Sequence, residues 1–246
     1  MNYSIGITTF SKRLHDVVRL VHQIRKLNDK TIIISVNGEK DGDFNENYRV
    51  DILKLCERYS GVYPLFNIET RGLSKLWNNI LITSCDENVL MLNDDIEITG
   101  DDIFKVTEEH IINSNFTGLT KLNGSFSHFI VNKLIIDDIG YFDERLLGFG
   151  EEDGDITYRL LKHGIHVSNI NVGNLINIIS NVRHEHVVSG IGKYSKFNRD
   201  FIYNDKYTPE NGGNFRGLFD TPMKQILDDL KPYPYERFFI ENKGKL

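Results

Sequence analysis

Along the first ninety positions the apolar residues switch between two spacings. Tyr3–Thr9 is a short apolar and β-branched run, whereas Leu14, Val17, Val18, Val21, Ile24 and Leu27 recur every three or four positions, as on one helix face. Thr31–Val36 is β-branched and bounded by Asn37-Gly38, a strand running into a turn. The alternation continues with a helix over Tyr48–Tyr59, a strand over Val62–Asn67, a helix over Leu73–Ser84 and a strand over Asn88–Leu92. Strands separated by helices imply right-handed crossovers and a parallel sheet covered on both faces. Ligands of such sheets bind beyond the carboxyl ends of the strands. That rule points to Thr8–Arg13, Asn37–Gly42, Thr70–Asn78 and Asn93–Asp95.

The second half is more mixed. The pattern predicts a helix over Asp101–Asn113, short strands near Phe116–Leu119 and Phe126–Val131, a helix over Asp155–Lys162 closed by Gly164, and a strand over Ile165–Ile170. From Lys206 onward the chain is rich in Asn, Gly, Pro and aromatic residues, with one helical pattern at Met223–Leu230. The organisation expected is one catalytic-sized domain over residues 1–205 and a C-terminal appendage over 206–246. The appendage's aromatic residues (Tyr233, Tyr235, Phe238, Phe239) suit packing on the core, subunit pairing or contact with a membrane surface.

Composition narrows the class. With 246 residues, 40% hydrophobic and 26% charged, the chain has ordinary globular composition and enough length for a large core. A net charge of −6 argues against nucleic acid as a partner. The opening MNYSIGITTF reads as lacking a secretory leader, and no run approaches the roughly 20 apolar residues of a membrane span. The sequons at Asn115 and Asn123 are then chance matches, and Cys56 and Cys85 are expected as buried free thiols in a cytoplasmic protein.

Two acidic segments carry the candidate chemistry. Val89–Leu92 runs straight into Asn93-Asp94-Asp95. Carboxylates gathered at the mouth of a parallel sheet repel unless a cation or donor neutralises them, although Asp-rich turns are also common after strands. A divalent metal would do so and would grip a nucleotide's phosphates. Further on, Gly140-Tyr141-Phe142-Asp143-Glu144-Arg145 leads to Gly148-Phe149-Gly150-Glu151-Glu152-Asp153-Gly154-Asp155. Acids favour a helix start for electrostatic reasons alone. The glycines and Phe149 just before them make this passage more specific.

Together these segments resemble the GT-A glycosyltransferases, especially family 2 and the galactosyltransferase-like enzymes. The resemblance spans roughly residues 3–205. It implies an α/β nucleotide-diphospho-sugar transferase fold with a mostly parallel central sheet flanked by helices. Asn93-Asp94-Asp95 sits where the family has its Asp-x-Asp motif, with Asn in place of the commoner first Asp. By similarity Asp95 binds metal, and Asn93 and Asp94 face the nucleotide-sugar. The later block resembles the family's GxFDE…GxGxED-x-D pattern. It implies Asp153 as general base, Glu152 as a partner that places the acceptor or the base, and Phe149 against an acceptor sugar ring. His184, with His186 as competitor, implies a second metal ligand, and mixed His and Asp ligation leans towards manganese over magnesium. Ser189 follows as in the family.

Three loops complete the resemblance. Thr8–Arg13 looks like the opening loop, with Thr9 and the basic Lys12 and Arg13 near base and diphosphate. Asn37 stands where an Asp commonly reads uracil or ribose. Thr70–Asn78 looks like the family's loop-to-helix segment: Arg71 pairs with phosphate or base, Gly72 permits close backbone approach, Lys75 lies beside the donor and Asn78 orders the loop. Lys206 is expected to be exposed.

The function expected is metal-dependent, inverting transfer of a hexosyl or N-acetylhexosaminyl unit to a hydroxyl acceptor in glycan or polysaccharide synthesis, a UDP-sugar being the first choice of donor. An oligomer formed through the C-terminal segment is compatible with it. A sugar nucleotidyltransferase would open with a glycine-rich phosphate loop, and Thr8–Arg13 contains no glycine. The other reading is a catalytically silent sugar- or nucleotide-binding module of the same fold.

Overall fold

The computed structural model describes residues 3–10, 13–38, 45–68, 70–113, 116–178 and 191–207. Strands β1 (Tyr3–Thr9), β2 (Ile32–Val36), β3 (Val62–Phe66) and β4 (Asn88–Asn93) are linked by helices α1 (Leu14–Leu27), α2 (Glu46–Arg58) and α3 (Leu73–Thr83). β1 pairs in parallel with both β2 and β4, and β2 with β3. The chain therefore builds outward from β1 to β3 and then returns to β1's other side. β3 is left as an outer edge, with Pro64 in its middle.

The remaining elements are β5 (Ile96–Ile98), α4 (Asp102–Asn113), β6 (Leu119–Leu122), β7 (Ser125–Asn132), α5 (Lys133–Ile139), α6 (Glu152–Lys162), β8 (Ser168–Ile170), β9 (Leu175–Asn177) and α7 (Ile191–Phe201). A π-helical turn over Ile202–Lys206 follows α7 directly. The main sheet has seven strands in the order β3-β2-β1-β4-β7-β6-β8, while β5 and β9 form a separate antiparallel pair. β7 alone runs antiparallel to its neighbours in the main sheet.

Period-2 alternation divides the apolar residues between two layers. Ile5, Ile7, Leu90 and Leu92 pack with Val17, Leu20, Ile24 and Ile52 on one face; Met91, Val89 and Phe129 pack with Trp77, Ile80, Ile136 and Leu160 on the other. Trp77 meets Phe129 edge-on at 5.2 Å between ring centroids. Gly6 lets α3 settle on the sheet, because a β-carbon there would strike the Ile80 methyl and stand 2.9 Å from the Met91 sulfur.

The expected strand-helix alternation is present, with shifted boundaries in the second half. β6 starts where the predicted strand ended, and α6 starts at Glu152 rather than Asp155, so the acids occupy its first turn. β5 and β9 were not anticipated, since three residues are too few to show a period. α5 was also missed, yet it carries readable stops: the Asn132 side chain caps Leu134 N at 3.0 Å, and Gly140 ends it at φ 90°. Both cysteines are free, but neither is buried as expected: Cys56 on α2 is half-buried, and Cys85, which follows α3, is exposed. No helix among the described residues is long and apolar enough to cross a membrane. Met223–Leu230 and the aromatic tail lie outside the described residues.

Gly6→Ala should lower unfolding free energy by about 1–3 kcal/mol through overpacking against β-branched Ile80. Urea denaturation of the two proteins checks this, an unchanged midpoint being the contrary result.

Candidate active site

The return of the chain to β1 makes the β1/β4 boundary a switch point, and ligands of open α/β sheets bind beyond the carboxyl ends of the strands at such a point. Thr8 stands opposite Asn93 in register, and its hydroxyl donates to Asn93 Oδ1 at 3.3 Å. Thr9 donates to Asp94 Oδ2 at 2.7 Å, and the Tyr48 hydroxyl of α2 lies 2.9 Å from the Thr9 hydroxyl. Burial pushes Asp94 up to about 7, against the pull of the Thr9 hydroxyl and the Arg13 charge. Arg13, buried at the start of α1, also contacts Asp16 at 3.2 Å.

From β2 a chain of backbone contacts leads to the second acidic segment. Asn37 N donates to Thr9 O at 2.8 Å. The Asn37 side chain accepts from Arg71 N at 2.7 Å and donates to Arg71 O at 2.9 Å. Asn37 thus braces the loop before α3 rather than presenting both amide groups to a base. Gly72 lies against Leu146 O, where a β-carbon would clash, and Leu73 N donates to Gly148 O at 2.6 Å. Asn78 accepts from Phe142 N at 3.0 Å and donates to Phe142 O and Glu144 at 2.8 Å, so its bonds go to the 142–144 loop and not to the loop before α3. Lys75 pairs with Glu144 at 3.3 Å. Asn78 and Lys75 therefore serve the scaffold beneath the turn.

The turn itself depends on unusual backbone. Gly148 and Gly150 lie at φ 61° and 120°, where a side chain would be strained. Glu151 adopts φ 74° despite its side chain, a sparsely populated conformation of the kind that collects at functional sites. Glu152 is buried and accepts from Gly150 N at 2.6 Å through Oε2, while Oε1 has no hydrogen-bond partner among the described residues. Burial pushes its carboxyl up to about 8, helped by the neighbouring charges of Asp153 and Glu151. Asp153 is exposed on the first turn of α6, accepting from Gly154 N at 2.9 Å, and Phe149 is half-buried.

Below the turn lies a buried charge cluster. Asp143 accepts from Arg145 Nη2 at 2.7 Å and from Lys206 at 2.5 Å. Lys206 also reaches Asp155 at 2.8 Å, and Asp155 accepts from Tyr207 at 2.7 Å and Arg159 Nε at 3.0 Å. Burial alone would raise both aspartates, but Lys206 with Arg145 on one side and Arg159 on the other holds them below the usual carboxylate range. Lys206 is wholly buried, which corrects its expected exposure: two carboxylates draw it inward. Lys206 and Tyr207 thus belong to this cluster, although the sequence boundary at 205 assigned them to the appendage.

The fit to a divalent ion rests on the donors present. Asp94 and Asp95 place two adjacent carboxylates at the end of β4, and no group of three His, Cys, Asp or Glu side chains gathers among the described residues. Such a pair suits an oxygen-loving ion that completes its shell with water and phosphate. His184, His186, Ser189 and Lys12 lie outside the described residues.

No protein-family model matches the chain, and no curated relative matches it. Solved structures do. Glucosyl-3-phosphoglycerate synthase from Mycobacterium tuberculosis, in complex with Mn2+, UDP and glucosyl-3-phosphoglycerate, aligns over 83% of each chain with a TM-score of 0.58 and 10% identity. S. aureus TarS aligns over 69% of this chain and 58% of that one, with a TM-score of 0.53 and 14% identity. The chain has the GT-A fold. A CMP:2-keto-3-deoxy-manno-octonic acid synthetase complexed with CTP also aligns, over 76% of this chain and 98% of that one, with a TM-score of 0.51 and 6% identity. The GT-A fold alone therefore leaves the reaction open.

Within it, the carboxyl ends of β1 and β4 gather Thr9, Arg13, Asn93 and Asp94, and the Asn37–Arg71–Gly72 brace leads from there towards the turn that carries Glu152 and Asp153. Sequence reading missed Tyr48, Asn198 and the Lys206 cluster. Asn198, buried in α7, accepts from Leu147 N at 2.7 Å and donates to Leu147 O at 2.9 Å and Gly150 O at 2.8 Å.

The two kinds of buried acid pull stability in opposite directions with pH. Asp143 and Asp155, depressed in the fold, stabilise it above the unfolded carboxylate range and lose that contribution as pH falls. Glu152, raised to about 8, holds its proton longer folded than unfolded, so its presence costs stability progressively as pH climbs from the ordinary glutamate value of 4.5 towards 8. Glu152→Gln should match the parent's melting temperature at the acid end of that window and exceed it at pH 8 and above. Parallel melting curves across the range check this, a constant gap being the contrary result.

Proposed function

We propose that the protein transfers a sugar from a nucleotide-diphosphate donor, a UDP-sugar in the first instance, to a hydroxyl of a glycan or other acceptor, with inversion at the anomeric carbon. One observation carries the reading: the β1/β4 switch point holds a buried Thr–Asp pair and two adjacent carboxylates, and a series of hydrogen bonds through Asn37, Arg71, Leu73 and Gly148 runs from it to the turn before the exposed carboxylate on α6. The solved neighbour crystallised with Mn2+ and UDP supports a donor of this kind on this fold.

In this reading Thr9, Arg13, Arg71, Asn93 and Asp94 line the donor side, with Arg71 offering its guanidinium to phosphate or base. Asp95 holds the divalent ion, with His184 or His186 as a further ligand and manganese preferred for such a mixed set. When bound, such an ion would supply positive charge against the negative charge that develops on the departing diphosphate. Asp153 takes the proton of the acceptor hydroxyl as that oxygen attacks the anomeric carbon and the sugar–phosphate bond breaks. One base and one displacement give inversion. Glu152, buried with a high-lying carboxyl, fixes the turn and the acceptor's approach, and half-buried Phe149 presents an apolar face to the acceptor ring.

Asp153→Asn should keep donor affinity and lower turnover roughly 10²–10⁴-fold, about 3–5 kcal/mol of barrier. Transfer and hydrolysis assays over a panel of nucleotide-sugars with manganese check this; binding without turnover in the parent protein would instead favour a silent binding module. Asp95→Ala should abolish the gain in nucleotide affinity that manganese confers. Calorimetry with and without the ion checks it, and an undiminished gain would remove Asp95 from the metal site.

A further inference from the structure

Asn198 lies on α7, nearly fifty residues beyond the acidic turn in sequence, yet its side chain is entirely buried beneath that turn. Its three side-chain hydrogen bonds among the described residues go to the turn's backbone: one accepted from Leu147 N, one donated to Leu147 O and one to Gly150 O. Gly150 in turn donates its N–H to Glu152. The segment so gripped needs an outside support. It contains two glycines at positive φ and a glutamate in the left-handed region, a backbone that costs conformational entropy and strain to hold in one shape.

The helix that supplies Asn198 is itself fastened. Lys206 and Tyr207, at the end of the π turn that continues α7, bind Asp155 on α6, and Lys206 binds Asp143 just before the turn. Tyr207 also packs edge-on against Tyr158 of α6 at 5.0 Å between centroids. Phe201 and Ile202 bury with Leu146 and Tyr158, and Arg145 lies over the Phe201 ring at 4.4 Å. The contacts enclose the turn from both ends. Only a side-chain amide offers donors to two carbonyls and an acceptor to one N–H at a single position.

We propose that Asn198 is a positioning residue for the acidic turn, and that α7 with its π turn acts as a clasp setting the backbone from which Glu152 and Asp153 project. Its effect on turnover rests on the transfer reaction proposed above; its hold on the turn does not. A misplacement on the order of 1 Å at a reacting group can cost about 10²-fold in rate even when the cause lies outside the chemistry.

The test uses the full chain with Asn198→Asp and Asn198→Ala. Asn198→Asp keeps size and the acceptor for Leu147 N but turns an oxygen towards both carbonyls. Amide hydrogen exchange at Leu147 and Gly150 should accelerate at least about tenfold in each variant, while β1 and β4 amides keep their protection. Under saturating donor, turnover should fall about 10–100-fold with the donor dissociation constant within about twofold. Unchanged exchange at Leu147 and Gly150 overturns the clasp. Faster exchange with undiminished turnover overturns the positioning role. If the parent protein transfers no sugar, the transfer reading fails, and exchange still decides whether the clasp exists. Should Asn198→Ala unfold, exchange and turnover of Asn198→Asp carry the decision.

Discussion

The direction in which the chain builds its sheet reverses between β1 and β4, and in open α/β sheets that reversal is where a binding crevice forms. Crossover helices cover both faces, but none can close the gap directly above two strands whose connections depart to opposite sides. The residues with chemistry to offer, Thr8, Thr9, Asn93 and Asp94, are the last ones of those strands or the first beyond them. Their placement is thus a consequence of topology and needs no special local structure. Asp94 is buried there beside Thr9 of β1 and the charge of Arg13 at the start of α1, with Tyr48 of α2 against the Thr9 hydroxyl.

The second acidic segment has no such support from the sheet. It sits on a turn rich in glycine, and its shape is imposed from outside by α3 below, through Gly72 and Asn78, and by α7 beside it. A buried lysine between two aspartates anchors this arrangement. Burying three charges together is expensive, and replacing such groups by apolar residues is often no less stable. Their value here lies in direction. The ion pairs fix how α6, the 143–147 loop and the end of α7 meet, where apolar contact alone would permit sliding.

Much of this was legible in the residues. Helical spacing from Leu14 to Leu27 and β-branched runs at Thr31–Val36 and Asn88–Leu92 gave the parallel half of the sheet, because each element is long enough to display its period. The glycine-and-acid passage was readable because positive φ restricts residue choice at Gly148 and Gly150. Asn198 and Lys206 were not readable. A buried amide that binds backbone looks like any surface asparagine, and a lysine inside a charge cluster looks like one in water. Only the three-dimensional neighbourhood distinguishes them. Asn37 illustrates the same limit from the other side: its position at a strand end suggests a ligand contact, while its amide braces Arg71.

The sheet's outer margin carries one more consequence. β3 ends the sheet, and its exposed Tyr63 would make a tempting template for a strand from another molecule. Pro64, next to it, has no N–H to offer an incoming backbone, so a ladder begun along this margin meets a missing rung at its centre. Edge-to-edge pairing along this margin is thereby disfavoured.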